Sequence, residues 1–109
     1  MSKVNVLSGI MIILFIFNGC TEKSTEDFNN LLADDWEFTL KENPQFATSL
    51  GDHRFDDKLG DVSIAAVMRR DEQNKKFLDR LNKINREILS ESDQLNYILY
   101  KKQLATSKI

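Results

Sequence analysis

One proline, Pro44, separates two stretches of the chain that carry helical apolar spacing, and it dictates where the first of them stops. Proline lacks a backbone N–H and its ring steers the preceding residue away from the α region, so a helix approaching it ends by about Glu42 or Asn43. Upstream, Phe28, Leu31, Leu32, Trp36 and Leu40 recur at spacings of three and four, which places them on one stripe. Ser24, with Asp27 three residues on, reads as a capping box and predicts a first helix over about 25–42. Phe38 falls off the stripe and is expected to meet a different surface. Trp36 and Phe38 both read as core, because aromatic residues at helical spacing are more often buried than displayed.

From Pro44 to Asp61 neither a helical nor a strand period holds, although Phe46 to Leu50 can form one helical turn. The apolar residues Phe46, Leu50, Phe55 and Leu59 predict a connection that packs down onto the protein. Gly51 and Gly60 are expected to take backbone angles that other residues avoid. Asp61 or Ser63 then caps a long second helix, expected over 63–89, with Ile64, Val67, Met68, Phe77, Leu78, Leu81, Ile84 and Ile88 as its stripe. That stripe fades between Arg69 and Lys76. The acid-first pairs Asp71/Lys75, Glu72/Lys76 and Asp79/Lys83 sit four apart, the favourable order on a helix surface. Ser90 and Asp93 form a second capping box and open a third helix, expected over 92–107. Leu95, Ile98, Leu99 and Leu104 are its expected inward face, flanked by Tyr97 and Tyr100. No cap, glycine or proline follows before Ile109, so this last helix reads as cut short.

The N-terminus has a different character. Lys3, an almost wholly apolar run from Val6 to Phe17, and Asn18-Gly19-Cys20 follow the three-part layout of a secretory signal. An apolar run of about 12 residues at ~1.5 Å each reaches ~18 Å, short of the ~30 Å hydrocarbon layer, so a cleaved leader outranks a spanning helix. Cys20 is the sole cysteine and permits no internal disulfide. A lone cysteine after a signal core and preceded by Gly19 resembles a bacterial lipobox, although Phe17 and Asn18 depart from the usual aliphatic and small residues. The expectation is a signal peptide over 1–19, lipid on Cys20, a polar tether over 20–24 and a helical segment over 25–109. The protein would then be exported and held at the bacterial cell envelope, on its periplasmic or surface face, with the membrane as partner through the Cys20 lipid. Multiple acyl chains anchor firmly because each buried methylene contributes ~0.8 kcal/mol.

Charge is uneven along the exported part. Residues 20–61 hold 4 basic and 11 acidic side chains, whereas residues 62–109 hold 10 and 6. The imbalance favours packing of the acidic front on the basic back, or on a partner, and is too small to predict polyanion binding. Arg69, Arg70, Lys75, Lys76, Arg80, Lys83 and Arg86 are interleaved with acids and carry no reading motif, so they read as a solvated helix face laced with ion pairs; no nucleic-acid partner is expected. His53 is the sole histidine, with Asp52, Asp56, Asp57 and Asp61 nearby. A zinc site wants two or more His or Cys at fixed spacing, and a calcium loop wants oxygens at alternate positions before a glycine; neither pattern is met. The expected role of this cluster is a hydrogen-bonded loop in which aspartates turn the backbone and Arg54 pairs one of them. No serine sits in a nucleophile elbow, and Ser49 near His53 has no supporting motif, so no catalytic, cofactor-binding or metal residue is assigned.

The run Asn43-Pro44-Gln45-Phe46-Ala47-Thr48-Ser49-Leu50-Gly51-Asp52-His53-Arg54-Phe55-Asp56-Asp57 resembles the opening of the bacterial family catalogued as domain of unknown function 885. Members of that family begin with a tryptophan-bearing helix, continue through a connection of this pattern, and go on into long helices. The signature positions here are Pro44, Ala47, Thr48, Leu50, Gly51, Asp52, His53, Arg54, Asp56 and Asp57, and the resemblance spans about 31–104. Family members are several times longer and look like zinc metallopeptidases with ligands far downstream. The resemblance therefore implies the N-terminal part of a large helical shell around a metal cleft, with zinc expected only in full-length relatives and no cofactor in this chain. Three readings follow. The chain is a lipid-anchored N-terminal segment, inactive alone, whose partner is the remainder of the parent domain; or a stand-alone small lipoprotein acting as a helical interaction module on an unknown protein; or, more weakly, a membrane-spanning peptide with a helical tail. In each, the expected fold class is all-α: a helical hairpin or three-helix segment with one packed irregular loop, preceded by a signal-peptide helix. A core this small supplies ~3–5 kcal/mol, and a piece shaped to lie on a larger body would leave apolar surface exposed.

Overall fold

The computed structural model describes the backbone of residues 2–107 and the side chains of residues 21–107. The fold is all-α: α1 (Ser2–Glu42), α2 (Pro44–Ser49), α3 (Ile64–Asn82) and α4 (Glu91–Thr106), with 3-10 turns at His53–Phe55 and Arg86–Ile88. The expected leader over 1–19 and lipid site at Cys20 fall outside the described side chains. Residues 20–24, expected as a tether, are helical and continuous with α1, so Ser24 and Asp27 lie inside the helix rather than at its start. No helix among the described residues is long and apolar enough to cross a membrane.

Helix α1 stops where Pro44 requires. Asn43 leaves the helical region at φ −125° and ψ 71°, and its side-chain amide donates to the Thr39 carbonyl at 2.8 Å, satisfying one of the acceptors a helix end leaves open. The chain then folds α2 back on α1, burying Leu40, Pro44 and Ala47, while α3 and α4 cover another side of α1. Pairings of Glu42 with Arg69, Phe38 with Phe77 and Asp34 with Arg80 set α3 antiparallel to α1. Tyr97 beside Phe28 and Tyr100 beside Asp35 return α4 parallel to it.

Phe28, Leu31, Phe77, Leu81, Ile84, Leu89, Tyr97, Tyr100 and Leu104 form the core, with Leu32, Phe38 and Leu78 packed on its edge. Phe38 therefore joins the core, edge-on to Phe77 with ring centroids 5.9 Å apart, instead of facing elsewhere. Trp36, expected inside, is 50% exposed. On α4 the expectation inverts. Leu95, Ile98 and Leu99 are 58%, 46% and 56% exposed, and Tyr97 and Tyr100 are buried in their place. The reason is polar: Tyr97 Oη donates to the Leu81 carbonyl at 2.9 Å and Tyr100 Oη donates to Asp35 Oδ2. A buried tyrosine that finds an acceptor contributes a large apolar area without an unsatisfied hydroxyl.

One boundary also moves. The second helix ends at Asn82, not 89, because Asn85 caps a separate 3-10 turn by accepting from the Glu87 N–H at 3.1 Å. Ile88 thus leaves the α3 stripe. The N-terminal part of that stripe is displayed instead of buried, with Ile64 80% and Met68 67% exposed and Ala66 buried. The last helix ends at Thr106, within a residue of the expected 107, and the Ser107 hydroxyl donates to the Leu104 carbonyl at 2.9 Å and accepts from the Asn74 amide at 3.0 Å.

Candidate functional site

The connection from Asn43 to Asp61 is built outward from its local turns. Pro44 at the first position of α2 fits a helix start, where its missing N–H is no loss. Leu50 and Gly51 close the turn, the latter at φ +87°, an angle glycine adopts without strain. Gly60 has an ordinary backbone angle, against expectation, and instead makes room for Gln45, whose Oε1 would lie 3.1 Å from an added Cβ. Asp52 caps the following 3-10 turn by accepting from the Arg54 N–H at 3.1 Å.

Polar side chains then tie the turns together. His53 Nδ1 lies 2.8 Å from Asp56 Oδ2, and the Thr48 hydroxyl donates to Asp56 Oδ1 at 2.6 Å. These contacts hold the Asp56 carboxyl below its usual range, the Thr48 hydrogen bond contributing most. Arg54 is the central tie. Its Nη1 and Nη2 each donate to one carboxylate oxygen of Glu37 on α1 at 3.0 Å, and its Nε and Nη2 reach Asp52 at 3.0 and 2.6 Å. Such a fork is available to arginine and not to lysine. The Arg54 side chain lowers the Asp52 carboxyl to about 2. Asp57 is exposed and makes no hydrogen bond or ion pair among the described residues.

A second arginine pair closes the stem. Arg69 Nε and Nη2 grip the two Glu42 oxygens at 3.1 and 2.9 Å, and Arg70 Nε reaches Glu42 at 2.9 Å. Arg70 also donates to the Asp61 carbonyl, so one guanidinium holds the residue where the connection leaves α1 and the residue where it nears α3. The Glu42 carboxyl, only 10% exposed, is lowered chiefly by the Arg69 hydrogen bond. With Asp34–Arg80 at 2.8 Å, these contacts are the acidic-front-on-basic-back packing that the charge distribution suggests. Lys75 and Lys76 pair with Asp71 and Glu72, whereas Asp79 and Lys83 form no ion pair among the described residues, Lys83 lying past the helix end.

Apolar residues of the connection behave against expectation. Phe46, Leu50 and Leu59 are 44%, 54% and 83% exposed, so the segment is held down by Pro44, Ala47 and charge rather than by its large side chains. Phe46 meets Trp36 edge-on at 6.2 Å. Glu37, the outer anchor of Arg54, escapes sequence reasoning: it lies 17 residues upstream with no local spacing to mark it.

This geometry organises backbone and offers little chemistry. The Ser49 hydroxyl donates to the Phe46 carbonyl at 2.6 Å and makes no hydrogen bond to His53 among the described residues, so the two form no nucleophile–base pair here. Zinc, which the family resemblance implies only for full-length relatives, has no donor set here: no group of three or more His, Cys, Asp or Glu among the described residues is placed to hold an ion. Compared with protein-family models, with curated proteins and with solved structures, the chain matches none.

Proposed function

We propose that this chain is a lipid-anchored, N-terminal helical segment of an exported protein of the domain-of-unknown-function-885 kind, which resembles zinc metallopeptidases, and that it contributes structure rather than catalysis. The observation that supports this reading is exposed apolar surface. Leu95, Ile98 and Leu99 form one outward face, and Leu59, Val62, Ile64 and Met68, 67–90% exposed, gather where the connection enters α3. Large apolar patches of this kind mark surfaces meant for other protein. The arginine-braced connection supplies a rigid corner between them.

The closed three-helix core favours a second reading. It has no buried side-chain N or O atom without a hydrogen-bond partner among the described residues, which suits a stand-alone small lipoprotein that engages a partner through its helices. Labelling cells with palmitate and probing envelope fractions with an antibody to the 43–57 segment separates the two. Label on a band several times the size of this chain, lost in Cys20→Ala, is the expected result. Label on a band of this chain's own size favours the stand-alone lipoprotein, and an unlabelled product removes the anchor from both.

A further inference from the structure

We infer that the groove between α1 and α4 seats a fourth, amphipathic helix that brings a basic side chain to Asp35; this deepens the reading that the exposed apolar surface is made to be covered by protein. Helix α4 carries large apolar residues on two sides. Tyr97, Tyr100 and Leu104 fill the core, and Leu95, Ile98 and Leu99 point away from it. The outward residues are 46–58% exposed, so this second stripe is unpartnered, although polar residues such as Lys102 interrupt it.

The position of the missing element follows from the ridges. Leu95, Leu99 and Gln103 recur every four residues and form one ridge of α4, and Gln103 lines the groove. Across it stand Leu32 and Trp36, four apart on α1. Ridges on two neighbouring helices with a trough between them are what an additional helix packs into, and completing it turns the α1–α3–α4 arrangement into a four-helix layer.

Charge specifies the occupant. Asp35 lines the trough with Tyr100 and accepts from the Tyr100 hydroxyl and from Thr39 Oγ1, the latter at 3.2 Å. Both donors are neutral, and no Lys or Arg among the described residues pairs with it, while the adjacent Asp34 takes Arg80. A half-buried carboxylate set beside Leu32, Trp36 and Tyr100 favours a cation on whatever covers it, since an apolar cover alone would strip its water without compensation. The occupant is therefore a helix with an apolar stripe and a Lys or Arg within it.

The test places the photocrosslinker benzoylphenylalanine at position 99 of the full chain in the native cell, with the same group at exposed position 76 as control, and sequences the crosslinked peptide. Expected is an adduct from position 99 alone, to a segment with helical apolar spacing and an interposed Lys or Arg. Asp35→Asn, which keeps an acceptor for Tyr100, should lower the yield about tenfold, and reversing the basic residue of the captured segment should lower it equally. An adduct to a second copy of this chain, to lipid, or to a segment without a basic residue overturns the inference, as does no adduct or a yield indifferent to Asp35→Asn. Palmitate labelling is scored separately, so failure of the anchor leaves this result interpretable.

Discussion

The helical core and the Asn43–Asp61 connection are stabilised by opposite means. In the core, Phe28, Leu31 and Leu81 are wholly buried and polar atoms appear only where a tyrosine hydroxyl finds an acceptor. In the connection, the large apolar side chains stay at the surface, and Arg54, Arg70, Glu42 and Asp52 determine the path. Many apolar sequences can fill a small core, because volume and pattern suffice. Few sequences satisfy a guanidinium from four directions, so the connection is where residue identity is most tightly specified.

The largest separation between the two regions should come from truncating the core. Phe28→Ala removes a fully buried ring that sits 6.1 Å from Tyr97, at a cost of about 3–5 kcal/mol. That equals the whole ~3–5 kcal/mol expected of so small a core. Circular dichroism of the full chain should therefore show loss of most helical signal from residues 21–107, and retention of a cooperative transition would show that α1 and α3 draw their stability elsewhere.

Changes in the connection should be smaller and local. Glu42→Gln leaves Arg69 and Arg70 with a neutral acceptor in place of a carboxylate. Glu42 is little exposed but both arginines reach water, so about 1 kcal/mol is expected in urea unfolding. Gly51→Ala forces a side chain to φ +87° and should cost about 1 kcal/mol, although nothing crowds the site. Gly60→Ala meets only the flexible end of Gln45 and should fall within about 0.5 kcal/mol. If the two alanines cost the same, backbone angle is not what Gly51 contributes.

Acid should loosen the connection before the core. The carboxyls of Glu42 and Asp52 are lowered in the fold, from ordinary values of 4.5 and 3.8, the second to about 2. A depressed carboxyl contributes stability above its unfolded value and loses it as pH falls through its folded value. The contribution is thus whole above about pH 4.5 and declines toward pH 2. Trp36, the sole tryptophan, rests edge-on against Phe46 and reports this corner. Its emission should shift across that window in the native chain, and the shift should shrink in Glu42→Gln, whose side chain does not titrate.

How much of this the sequence discloses differs between the regions in the same way. The all-α class, the helix stop at Pro44 and the Ser63 and Ser90 caps are legible, because each is set within a few residues; both serines accept at 3.2 Å from the N–H three residues on. The leader and Cys20 are legible only as pattern. On α4, periodicity offers two stripes, Leu95-Ile98-Leu99 and Tyr97-Tyr100-Leu104, and cannot choose between them. The choice rests on the Leu81 carbonyl and Asp35, which are 16 and 65 residues away. Arg54 is recognisable as a partner for Asp52, but Glu37 is not, since a long-range ion pair leaves no spacing. The long helix expected to 89 ends at Asn82, and Asn85 caps a new turn just beyond it, a local signal that the strong apolar stripe conceals.

The smallest predicted effect is the most discriminating. Leu99→Ser removes apolar surface from a side chain that is 56% exposed and lies outside the core cluster, so stability of the isolated chain should stay within about 0.5 kcal/mol. Tyr100→Phe, one position along, strips the donor from Asp35 and leaves the core volume intact; about 1 kcal/mol is expected from the lost hydrogen bond. Urea unfolding of both variants compares the two faces of one helix directly. If Leu99→Ser destabilises as much as a core truncation, the outer face of α4 is already covered in solution by a second copy of the chain, and the groove is not free. If it is silent while Tyr100→Phe is not, the inner face carries the fold and the outer face is held for something else. Asp35 then has a neutral partner from within and lacks only the charged one from outside.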